Sequence, residues 1–120
     1  MPTPIATGPV HHIRLTVSDV ERSRAFYTDV VGFQFVTDLP SGVFLSNGAV
    51  GLGLGPSPDP SRAPASDRFD EARIGLDHLS FGVASRDELE RAAAAGRAGD
   101  APRRGHRSRR RLWDVHPGVP

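Results

Sequence analysis

His12-Ile13-Arg14-Leu15-Thr16-Val17 recurs 66 residues on as His78-Leu79-Ser80-Phe81-Gly82-Val83. Each copy opens on histidine and then places an apolar residue at every second position, the period of a half-buried strand. Ile13, Leu15 and Val17 share one face, and His12, Arg14 and Thr16 the other. In the second copy Leu79, Phe81 and Val83 face one way, and His78, Ser80 and Gly82 the other. Both histidines are therefore expected to begin a strand on its polar face.

The segments C-terminal to the two strands are also alike. Ser18-Asp19-Val20-Glu21 and Ser85-Arg86-Asp87-Glu88 both have the form of a capping box. There the serine hydroxyl accepts from a first-turn N–H and the glutamate reaches back to the cap. Ala25, Phe26, Val30 and Val31 then fall at helical spacing, with Gly32 as a left-handed stop. Leu89, Ala92, Ala93 and Ala95 do the same ahead of Gly96. The chain thus holds two strand–cap–helix units, and such a repeat constrains every other reading.

Around the first histidine stretch, strands are expected over 10–17, 33–38, 43–46 and 49–54, with the first helix over 20–31. Leu39-Pro40-Ser41-Gly42 reads as a turn. Asn47-Gly48 reads as a tight hairpin whose two central residues both need positive φ. Module one, 10–55, is then βαβββ. A proline-rich linker occupies 56–73, with Phe69 its one candidate anchor. Module two opens at Ile74 and is clear only to residue 95.

The tail, 96–120, departs from the repeat. It carries seven Arg against two Asp, a balance of +5, whereas 1–95 carry eight Arg against twelve acidic residues, a balance of −4. Its end, Val115-His116-Pro117-Gly118-Val119-Pro120, stands where the fourth strand of module two belongs, and its two prolines argue against an interior strand. Three readings are open: a solvated extension, an arginine-rich arm for nucleic acid, or translation out of frame. The lone Trp113 gives the nucleic-acid reading little support, and no nucleic-acid partner is expected.

At 120 residues the chain makes one domain. It has no cysteine, which excludes disulfides and thiolate chemistry and suits a cytoplasmic location. No apolar run approaches the ~20 residues that span a bilayer, so no membrane partner is expected. Gly51-x-Gly53-x-Gly55 is not a phosphate loop, because no helix comes after it and the chain has no Lys.

With these stretches together, the chain resembles the vicinal oxygen chelate superfamily of glyoxalases, extradiol dioxygenases and bleomycin-resistance proteins. The likeness rests on the run from His12 to Asp19, on Ser23-Arg24-Ala25-Phe26-Tyr27, on Val31-Gly32-Phe33 and on Leu76-Asp77-His78-Leu79-Ser80-Phe81. It covers residues 10–95. It implies an α+β fold of paired βαβββ modules, the second incomplete here, whose curved sheets face a common cavity.

The resemblance also implies a divalent metal (Fe, Mn, Zn or Ni) that chelates adjacent oxygens of a small-molecule substrate. His12 and His78 match the two first-strand ligand positions. Gly53 stands where the last strand of module one would supply a further donor, and Val119 stands near the place of a final glutamate. His106 and His116 are weak substitutes. Arg14 and Ser80 are candidate substrate contacts; His11, Phe26, Tyr27 and Asp77 read as structural. The leading expectation is a metal-dependent enzyme, dioxygenase-like or lyase-like. The alternatives are a metal-free homodimer that binds a drug, and a truncated or frameshifted inactive product.

Overall fold

The computed structural model describes residues 2–99 and 113–117. The chain divides into two compact units, Met1–Ser66 and Asp67–Pro120, and the break falls inside the proline-rich linker.

The first unit is a complete βαβββ module. Its elements are β1 (His12–Thr16), α1 (Val20–Ala25), β2 (Gln34–Leu39), β3 (Gly42–Ser46) and β4 (Gly51–Gly55). The four strands form one sheet in the order β1-β4-β3-β2, parallel between β1 and β4 and antiparallel elsewhere. Register aligns Ile13 with Leu52 and Leu15 with Leu54. It also aligns Val43 with Leu54 and Leu45 with Leu52. Leu45, Leu52 and Leu54 are fully buried, and Tyr27 and Phe33 complete the core on that face. The helix packs against β3 and β4. The alternation in His12–Thr16 therefore does what its period implies: leucine and isoleucine go under the helix, and His12, Arg14 and Thr16 go to the opposite face.

Local chemistry departs from expectation at three places in this module. The cap of α1 is Asp19, not Ser18: Asp19 is extended, and the Arg22 N–H donates to its Oδ1 at 3.0 Å. A carboxylate one residue nearer the helix takes the role that the serine hydroxyl offered. The helix then widens into a π-helical turn, Phe26–Val30, in which the Val31 N–H donates to the Phe26 carbonyl at 3.2 Å. Gly32, at φ +86°, ends it in the left-handed conformation expected of it. At the hairpin only Gly48 has positive φ. Asn47 instead uses its side chain, whose Oδ1 accepts from the N–H groups of Ala49 and Val50, both at 2.9 Å. That makes the turn longer than a two-residue one.

The linker contains one 3₁₀ turn, Pro60–Arg62, capped by Asp59. Phe69, its candidate anchor, is 38% exposed.

The second unit contains β5 (Leu79–Val83), α2 (Arg86–Gly99) and β6 (Trp113–Pro117). Its first strand begins at Leu79, one residue after His78, and Ile74 and Leu76 ahead of it are exposed. Ser85 caps α2 as expected, with its Oγ accepting from the Glu88 N–H at 3.2 Å. The Glu88 carboxylate pairs with Arg91. Leu89, Ala92 and Ala95 are half-buried at helical spacing, whereas Ala93 is exposed. Gly96 does not stop the helix, which continues to Gly99. A glycine inside a helix costs about 1 kcal/mol and does not by itself end one.

Trp113–Pro117 forms a strand, paired in parallel with β5 from Leu79↔Trp113 to Val83↔Pro117. This is the counterpart of the β1–β4 pairing in module one. Among the described residues β6 has one neighbour, β5, and proline's missing donor is harmless on an unpaired side of a ladder. Residues 100–112 and 118–120, which include His106 and Val119, lie outside the described residues.

Candidate functional site

In module one the polar face of the sheet is built around β4. Register places His12 beside Gly51, Arg14 beside Gly53 and Thr16 beside Gly55, with Ser46 and Phe44 on the far side of the first two glycines. With only glycine on this face of β4, its neighbours lie across it. A methyl group on Gly51 would overlap the Phe44 ring. One on Gly55 would overlap Arg14 Nη2, and would stand 3.0 Å from Arg14 Cζ and 2.8 Å from the Ser41 carbonyl oxygen. On Gly53 it would only touch Arg14 Cγ, at 3.5 Å.

Arg14 donates one long hydrogen bond, from Nη2 to Ser41 Oγ at 3.4 Å. Among the described residues no carboxylate is paired with it. Its guanidinium thus rests on backbone with its donor edge exposed. Beside Phe44 an open depression of about 400 Å³ continues past Ser46, Val50 and His11.

The His12 ring is exposed, and its Nδ1 lies 2.9 Å from His11 Nδ1 with the two rings edge to face. One of the two nitrogens carries the proton and the other accepts it. Its Nε2 is turned to no partner among the described residues. In module two His78 directly precedes β5, and its Nδ1 lies 2.9 Å from Asp77 Oδ1. Both side chains are well exposed. Ser80 is exposed on β5, two residues further on.

Sequence reasoning assigns His11 and Asp77 to structural roles, yet each engages the ring of the histidine after it. The repeat itself carries the signal: shifted by 66, position 11 falls on position 77. Tyr27, read as core, is core, and its burial raises the phenol's pKa.

The described residues of module one do not by themselves complete a metal site. Module one supplies the His12 imidazole and then three glycines along β4, two of them beneath a guanidinium. Among the described residues no three His, Cys, Asp or Glu side chains gather as a metal site would require.

The family model for the Glyoxalase/Bleomycin resistance protein/Dioxygenase superfamily matches residues 10–109. The chain belongs to this superfamily. The match runs past residue 95, beyond the motifs that carry the resemblance. Among relatives of this superfamily protein, the uncharacterized protein YwkD of Bacillus subtilis is 38% identical over 86 residues. That alignment covers 66% of this chain and 64% of YwkD, so the chain spans slightly under two thirds of that relative. A glyoxylase/bleomycin resistance protein/dioxygenase domain from Frankia sp. EAN1pec superposes with a TM-score of 0.62 at 29% identity, over 81% of this chain and 73% of that one. Lactoylglutathione lyase from Agrobacterium tumefaciens gives 0.58 at 27% identity, over 86% and 79%. The α+β fold with glyoxalase-type modules is thereby established. No described helix is long and apolar enough to cross a membrane.

Proposed function

We propose that the chain binds a small organic molecule on the face of module one that carries His12 and Arg14, with His78 and Ser80 the equivalent positions of module two, and without a resident metal ion. One observation supports this most: the Arg14 guanidinium lies over Gly53 and Gly55, along the strand that would have to give module one a further metal donor. A fixed cation there opposes a second cation electrostatically. Two imidazoles alone also fall short of the three protein ligands of an open catalytic site. Imidazoles, a guanidinium and a serine hydroxyl instead offer donors suited to oxygen-bearing ligands. The homodimer implied by the resemblance belongs to this proposal, and sedimentation of the purified chain measures it.

A second reading, a metal-dependent enzyme of dioxygenase or lyase type held by His12 and His78, is favoured by the Asp77–His78 contact. A carboxylate on Nδ1 fixes the tautomer that leaves Nε2 as a ligand. Elemental analysis of the full chain separates the two. Substoichiometric metal, unchanged in His12→Ala, supports the first. Stoichiometric Fe, Mn, Zn or Ni, lost in both His12→Ala and His78→Ala, overturns it in favour of the second.

A further inference from the structure

The face carrying His12 has a built-in asymmetry of charge. Arg14 and Phe44 align with Gly53 from β1 and β3, and their side chains run along β4 in opposite directions, the guanidinium over Gly53 and Gly55 and the ring over Gly51. The first is a cation with no counter-charge among the described residues, and the second is an aromatic ring beside an open depression. We infer that the ligand is a small aromatic or otherwise planar carboxylate, with its anion on the Arg14 guanidinium and its apolar body against Phe44, and that Gly55 and Ser41 are the residues that position the guanidinium. This rests on the reading of this face as the ligand site.

Three features support it. A guanidinium presents paired donors in a planar fork that matches a carboxylate, so the bond is directional as well as charged. The fork is held flat, because Gly55 leaves the space that Nη2 and Cζ fill and Ser41 Oγ accepts from Nη2. A side chain already laid down loses less rotamer freedom on binding than one free in solvent. Asp38, the one acidic residue on strands β1 to β4, is aligned with Val43 and so lies on the core side of the sheet. It does not compete for Arg14.

The roles of Gly53 and Gly55 make a paired control. Alanine at 53 meets Arg14 at ordinary contact distance. Alanine at 55 displaces the guanidinium and presses on the Ser41 carbonyl.

The test is a titration of the full chain, after dialysis against chelator, with benzoate and with benzamide, its neutral counterpart. Binding is followed by the NMR signals of the Arg14 side chain and the His12 ring. Benzoate is expected to bind at least tenfold more tightly than benzamide, as a charge-assisted pair requires. Arg14→Gln should remove that preference. Gly55→Ala should reduce it, and Gly53→Ala should leave it intact, with circular dichroism confirming the fold of each variant. Equal binding of the two probes, or a preference that survives in Arg14→Gln, overturns the inference. If both probes still shift the His12 signals, the ligand face itself stands and only the anion assignment falls. If neither probe binds, the inference falls outright, while elemental analysis continues to judge the metal-free reading on its own.

Discussion

His11 Nδ1 lies 2.9 Å from His12 Nδ1, and the same distance separates Asp77 Oδ1 from His78 Nδ1 in the other module. The two contacts are equivalent under the repeat: in each module the residue before the histidine holds the ring by Nδ1. Chemistry is thereby directed to Nε2 in both. His11→Ala is expected to weaken ligand binding up to about tenfold, the scale of one hydrogen bond, while leaving thermal stability unchanged. Calorimetric titration beside a melting curve checks this. Equal loss of binding and stability would assign His11 a merely structural role.

The core of module one sits on three leucines, so Leu45→Ala should be severe. Leu45 is fully buried and aligned with Leu52 on the neighbouring strand. Its truncation is expected to cost about 2–5 kcal/mol, read from urea denaturation. A loss below about 1 kcal/mol would contradict the packing described.

Asp19, rather than Ser18, caps α1. Asp19→Ala should cost about 1 kcal/mol, and Ser18→Ala close to nothing. The reverse order in denaturation midpoints would return the cap to the serine.

Burial raises the pKa of Tyr27. The folded state therefore holds the phenolic proton more tightly than the unfolded chain, whose tyrosine titrates near pH 10. The stabilisation is complete below the unfolded value and is lost as pH rises through the folded one. Stability should fall above about pH 10, and Tyr27→Phe should lessen that fall. Tyr27 is the one tyrosine in the chain, so phenolate absorbance reports it alone. Titration at the ordinary tyrosine value in the folded protein would contradict this.

The repeat makes module one legible, because alternation in His12–Thr16 and the strands of 33–54 depends on burial, and burial has a period. Parity alone puts His12 and Arg14 on one face. Features decided by geometry between neighbours are not legible in this way. The choice of Asp19 over Ser18 turns on where the helix begins, to within one residue. The Asn47 side chain substitutes for a backbone turn that the Asn-Gly pair implies. Pro117 argues against an interior strand, yet it ends β6, which has one neighbour among the described residues, and proline's missing donor is harmless on an unpaired side. The position of Arg14 over Gly55 requires knowing that β4 pairs directly with β1, a long-range register that no local pattern in Gly51–Gly55 contains.

If the proposed function is right, the chain binds its ligand on the His12 face without a metal ion. Histidine-selective NMR of the full chain during a benzoate titration, after dialysis against chelator, puts this to the test, with the signal assigned through His12→Ala. The His12 ring signal is expected to shift and to saturate with benzoate in the metal-free chain. A shift that appears only after a divalent metal is restored, or binding that leaves the His12 signal unmoved, would contradict the account.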